Sequence, residues 1–152
     1  MSWDRFLHIL HFLHFADNWQ RPDKGKEYDR LWKLRTVFDT LNEAYAKFYK
    51  PSENLAVEEV TVKFKGRVIF RQHIPKKRKH FIIKIYKVCD ELWYTYNMKV
   101  YLGRDSYSDT DDITATHASV RHLTCRFGGL GHKIFIDNFF SSPRPFDDLD
   151  VK

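Results

Sequence analysis

The sequence predicts a mixed α/β fold: two helices, then three antiparallel strands, a crossover helix and a fourth strand. Three observations predict it. Apolar residues recur at three-to-four spacing up to about residue 50, and apolar and polar residues alternate in runs between residues 55 and 102. A further helical stripe over 113–127 then leads into the short apolar run 133–136.

Ser2 is placed to cap the first helix, in which Trp3, Phe6, Leu10 and Leu13 form one stripe. Asn18 to Lys26 is a polar break with Pro22 and Gly25, and a second helix is expected from about Tyr28 to Tyr49. Its stripe is Leu31, Leu34, Phe38, Leu41, Tyr45 and Phe48, and Pro51 ends it. Each stripe needs a partner, in the other helix or in the sheet that follows. Strand sequence begins at Leu55, with Val60, Val62 and Phe64 alternating with polar residues up to Gly66. Val68 to Phe70 reads as a short strand, His80 to Val88 as a second main strand, and Asp90-Glu91 as a turn. Tyr94, Tyr96, Met98, Val100 and Leu102 alternate through a third strand. Asp111 and Asp112 are natural caps for a helix carrying Ile113, His117, Val120, Leu123 and Phe127, which Gly128-Gly129 stops. A helix returning the chain to the same sheet favours a parallel fourth strand with a right-handed crossover. This β-β-β-α-β order is the first part of an RNase H-like fold. Residues 1–50 are therefore read as a helical lead-in, and 51–152 as a partial RNase H-like core.

At 152 residues, with 43% hydrophobic and 16% aromatic residues, the chain is long and apolar enough for a buried core. No apolar run approaches the ~20 residues of a membrane span, so no membrane partner is expected. His8 and His11 interrupt the first apolar stretch, which argues against a signal peptide. Cys89 and Cys125 lie far apart and lack the close pairs of zinc sites and disulfide frameworks, which fits a reducing compartment and no zinc. Net charge is +6, and its distribution carries more information than its size. Residues 1–50 hold 9 basic and 7 acidic side chains, 51–90 hold 10 and 4, and 91–152 hold 7 and 9. From Lys63 to Lys87 there are ten Lys or Arg and no acid. Such a block suits a polyanion, nucleic acid above all, with a solvated basic hairpin as the alternative.

Two motifs carry a family resemblance. Val57 to Arg67, followed by Phe70 to Lys76 and by Lys84-Ile85 with Cys89-Asp90, resembles the first catalytic block of piggyBac-type transposases. Gly131 to Ser142, with its Asp137-Asn138-Phe139-Phe140 run, resembles the second block, and Arg5 to Asn18 resembles the helical lead-in of the piggyBac-derived branch. The resemblance implies that residues 1–50 are a lead-in for dimerisation or DNA binding, followed by an RNase H-like domain in which three aspartates hold two divalent ions, Mg²⁺ by the chemistry of oxygen ligands. Such ions activate water, and then a 3′-hydroxyl, for in-line attack on phosphodiesters. The family's second aspartate falls on Asp137 and its first on Glu58, which is longer by one methylene. The third lies well downstream of the second, beyond Lys152, and Asp147, Asp148 and Asp150 follow Asp137 too closely to replace it. The expected function is thus a transposase-derived DNA-binding or partner-binding chain without cut-and-paste activity. A residual metal-dependent nuclease or strand transferase using Glu58 and Asp137 is the alternative.

The expected DNA contacts are Lys65, Arg67, Arg71, Lys76, Lys77, Arg78 and Lys79, and the run Pro75 to Lys79 also reads as a nuclear import signal. His8, His11 and His14 recur every third residue, which drifts around a helix, and no acid or Cys nearby completes a zinc site. Trp93, Tyr94 and Tyr96 could stack on bases, although alternation assigns Tyr94 and Tyr96 to the core. With no cover expected beyond the fourth strand, Phe135, Phe139 and Phe140 should present an apolar patch beside an unpaired edge. Self-association, or a protein partner supplying the missing layer, would follow.

Overall fold

The computed structural model describes residues 1–22, 25, 28–75, 81–103 and 115–140. The chain divides into two compact units, Met1–Leu41 and Asn42–Lys152.

In the first unit, α1 (Trp3–Phe12) starts where expected, because the Ser2 hydroxyl accepts the Arg5 N–H at 3.3 Å. The helix buries none of its residues, and Trp3, Phe6, Leu10 and Leu13 are all exposed. A single 3₁₀ turn covers Asn18–Gln20. The second helix, α2 (Arg35–Phe48), of which only the residues up to Leu41 belong to this unit, begins seven residues later than the stripe predicts. The cause is Asp29. Its carboxylate accepts the Leu31 N–H at 2.9 Å and two guanidinium N–H groups of Arg35 at 2.8 and 2.9 Å. Aspartate that bonds the backbone two residues on favours a turn over a helix. Residues 29–35 accordingly close with i to i+3 bonds, and the first i to i+4 bond runs from Phe38 N–H to Leu34 O. Leu31 is nevertheless buried, so its place in the stripe still marks an inward position.

In the second unit five strands form one sheet among the described residues. They are β1 (Asn54–Lys63), β2 (Gln72–His73), β3 (Phe81–Asp90), β4 (Thr95–Val100) and β5 (Lys133–Ile136), with α3 (Ala115–Thr124) between the last two. β1 and β3 are antiparallel, as are β3 and β4, whereas β5 runs parallel to β1. The order β4-β3-β1-β5, with the crossover helix before the parallel strand, is the RNase H-like arrangement that the element order predicts. The short strand read at Val68 to Phe70 falls later, at Gln72–His73, where it pairs with the start of β3.

One face of the sheet carries the core: Leu55 and Val57 of β1, Tyr86 and Val88 of β3, and Val120 and Leu123 of α3, with Tyr96, Phe127 and Phe140. Val60 and Val62 are exposed, and the buried pair lies at the other parity, Leu55 and Val57. Residues two apart share a face, so the strand's burial is concentrated at its first half. Asn97, itself buried, ties β4 to α3 by donating to the Leu123 carbonyl at 3.2 Å, one of the carbonyls a helix end leaves without an internal partner. Asn42 satisfies the free edge of β4: its amide donates to Met98 O and accepts from Met98 N–H, each at 2.9 Å. The helix α3 ends before the turn in which Gly129 and Gly131 take φ of 71° and 76°, backbone that glycine adopts without strain. The expected helical residue Ile113 and the caps Asp111 and Asp112 lie outside the described residues.

Candidate functional site

The β1–β5 ladder positions the two candidate acids. Its last pair is Val57 with Ile136, so Glu58, within β1, and Asp137, just after β5, are each one step past the paired stretch, in which the strands lie ~4.8 Å apart. The pleat turns both away from the core face that Val57 and Ile136 serve. Asp137 is exposed at the strand end, where its carboxylate accepts the Asn138 N–H at 2.7 Å and its carbonyl accepts the Phe140 N–H at 2.8 Å. It therefore also caps the turn that carries the Asn-Phe-Phe run. Glu58 is half-buried on β1 and directly opposite Lys87 of β3.

Glu58 lines a pocket of about 270 Å³ with Asn54, Leu55, Ala56, Cys89, Asp90, Glu91, Trp93 and Phe135. Burial pushes the Cys89 thiol up, so that part of the wall is uncharged. The sequence placed Asp90 in a turn and at the end of the first motif without a role of its own, yet it organises this end of the sheet. Asp90 is buried and accepts from Leu92 N–H, Tyr94 N–H and the Tyr96 hydroxyl, at 2.9, 3.0 and 2.7 Å. Burial first, and then Asp90, holds the Tyr96 phenol well above the usual tyrosine range.

A hard divalent ion fits oxygen donors, and Mg²⁺ in particular is held by one or two carboxylates together with substrate phosphates. Glu58 and Asp137 match the smaller requirement. No group of three or more metal-capable side chains occurs among the described residues, so a two-ion cage is not assembled from them.

The basic residues fall into three situations. Lys65 and Arg67 are exposed in the turn after β1. The Arg71 guanidinium is already engaged, donating to the Gly66 carbonyl at 3.0 Å and lying 4.1 Å from the Phe81 ring centroid. Lys76, Lys77, Arg78 and Lys79 lie outside the described residues. Of the three expected surface aromatics, Phe135 and Phe139 are 60% and 52% exposed, whereas Phe140 is 2% exposed. Phe140 meets Tyr86 edge to face at 5.0 Å, inside the core rather than on its rim.

The family model described as Transposase IS4 matches residues 1–152. The chain belongs to the piggyBac-type transposase family. It is similar to a piggyBac transposase solved by cryo-EM in a synaptic complex with hairpin DNA, at 30% identity and a TM-score of 0.85. That match covers 98% of this chain and 31% of the transposase, so the chain spans about a third of its relative's length. The two motifs that carry the resemblance lie, in the transposase-like sheet, on the adjacent strands β1 and β5.

Proposed function

We propose that this chain binds DNA through sequence-independent phosphate contacts and does not cut or join DNA by itself. The observation that carries the reading is the β1–β5 register, which leaves Glu58 and Asp137 side by side in a transposase-type sheet. Two carboxylates on neighbouring strands can bind and orient one hydrated cation beside a phosphodiester. Bound there, Mg²⁺ would neutralise phosphate charge and orient water. Clamping both the attacking and the leaving oxygen takes two ions, and hence more ligands than this pair. The glutamate at position 58 adds a methylene to the inherited geometry, and a displacement of ~1 Å at a reacting centre costs about a hundredfold in rate.

The basic segment supports the DNA contact. Lys65 and Arg67 present exposed cations at one end of β1, and the run from Lys76 to Lys79 adds four more in sequence. The same run, from Pro75, is the proposed nuclear import signal. Family membership adds weight, because the solved relative is a complex with DNA. The exposed Phe135 and Phe139 support a second copy or a protein partner at the β5 side of the sheet.

The test is a supercoiled-plasmid nicking assay paired with duplex-binding titrations. Binding is expected to fall linearly with salt on a log–log plot, and replacing Lys65, Arg67 and Lys76 to Lys79 by Ala should flatten that slope. No nicking is expected with Mg²⁺ or Mn²⁺, and Glu58→Asp alone should not restore it. Nicking that disappears in Asp137→Ala would favour the residual-nuclease reading instead.

A further inference from the structure

Trp93 sits in the β3–β4 hairpin at φ 64°, the left-handed region that a bulky side chain enters only with strain. Asp90 imposes that conformation: its carbonyl accepts the Trp93 N–H at 3.0 Å and its carboxylate accepts the N–H groups on either side. The indole gains no burial in return, since Trp93 is 72% exposed. The Lys87 ammonium lies 5.7 Å from its ring centroid, and the pocket that includes Glu58 opens beside it. A strained, solvent-facing tryptophan is neither core packing nor a relaxed surface residue.

We propose that Trp93 and the pocket beside Glu58 receive a single unpaired nucleobase of DNA. The inference rests on the DNA-binding reading above and names the part of the nucleic acid that this end of the sheet would take. Size comes first. At about 270 Å³ the pocket falls just below the range of sites for drug-sized ligands, which suits one ring system rather than a nucleotide. Shape follows, because Ala56, Phe135 and the indole supply apolar surfaces against which a flat ring can stack. Charge then sets the orientation. Glu58 is an acceptor on the wall, and Glu91 beside it already accepts from the Asn54 amide, so with no cation bound a phosphate is repelled and a base edge with an exocyclic amino group is favoured at Glu58. Asp90 does not compete for that edge, since its carboxylate already takes three donors from Leu92, Tyr94 and Tyr96. The backbone stays outside, on the side where Lys87 offers a cation. Adenine, cytosine and guanine carry the amino group that thymine lacks, so thymine should be the poorest occupant.

The experiment uses the full chain and two duplexes of equal length, one fully paired and one with a single unpaired cytosine, read by fluorescence anisotropy. The expected result is about tenfold tighter binding to the unpaired site, the order of one aromatic–base stack. That ratio should fall to near one in Trp93→Gly and in Trp93→Asn, both of which tolerate the left-handed backbone, and should be largely kept in Trp93→Tyr. An unpaired thymine should give a smaller ratio than cytosine. Replacing Lys65 and Arg67 by Ala should weaken both affinities together and leave the ratio standing. A ratio near one in the unaltered chain, with paired duplex still bound, overturns the base site alone, and so does a ratio that survives Trp93→Gly. Absence of affinity for either duplex overturns the DNA-binding reading itself, and the base site with it.

Discussion

Replacing Asp90 by alanine should be the most damaging single polar substitution in the sheet. The carboxylate is 6% exposed and accepts three hydrogen bonds of 2.7 to 3.0 Å. Hydrogen bonds to a charged group contribute ~1.5–3 kcal/mol each, which sets a ceiling well above the real loss. Two compensations lower it. The Tyr96 hydroxyl keeps a second acceptor, the Lys50 carbonyl at 3.2 Å, and Leu92 is exposed, so water can replace one bond. The Tyr94 N–H and the vacated volume remain uncompensated, and Asp90→Ala should cost about 3 kcal/mol. Asp90→Asn keeps an acceptor for both N–H groups and lets the Tyr96 hydroxyl turn to Lys50, so about 1 kcal/mol is expected. Urea unfolding followed by circular dichroism measures both: the midpoint should fall in that order with the slope unchanged. An alanine variant within about 0.5 kcal/mol of the unaltered chain, the range of an ordinary surface substitution, would refute the role given to Asp90.

Two further outcomes follow from the same structure. Tyr96 is raised by burial and by Asp90, so the folded chain keeps this proton where the unfolded chain, near pH 10, releases it. Its contribution is therefore whole below about pH 10 and is lost as pH rises beyond it; Tyr96→Phe should show a shallower alkaline loss of stability in thermal melts. Phe135 and Phe139 are exposed beside β5, which pairs only with β1 among the described residues, so the chain should self-associate in sedimentation velocity. Lys at both positions should shift it toward monomer, and an unaltered chain that stays monomeric at high concentration would contradict this.

The sequence carried the order of elements well because that order rests on periodicity, and periodicity is local. It misplaced features that depend on competition between local and distant partners. The α2 start moved because Asp29 bonds Leu31 and Arg35 in preference to the helix ladder. The buried face of β1 was not legible because Val60 and Val62 alternate as cleanly as Leu55 and Val57, and only the arrival of α3 decides which parity is covered. Phe140 looked like part of an exposed run with Phe139, yet the turn capped by Asp137 sends the two rings to different environments. Trp93 was noticed as an aromatic that could stack, but its positive φ has no signature in a tryptophan's own sequence. The clue lay in Asp90, a residue type prone to organise the turn that follows it.

Glu58 and Asp137 show why a site can be legible in position and yet changed in chemistry. Their adjacency is a property of the backbone: any residue one step past Val57 and Ile136 would sit there, whatever its side chain. Ligand geometry belongs to the side chain, and there the two positions differ. Asp137 keeps the short arm of the family and uses it to cap its own turn at 2.7 Å, so its carboxylate is fixed relative to the strand. Glu58 carries one more rotatable bond and stands opposite Lys87 across the ladder. Shortening Glu58 to aspartate would restore the arm, but no third carboxylate joins the pair among the described residues. The ladder therefore keeps the two positions adjacent, while among the described residues they gather no third ligand of the kind a two-ion clamp needs. The proposal that this chain holds DNA rather than cuts it builds on that combination.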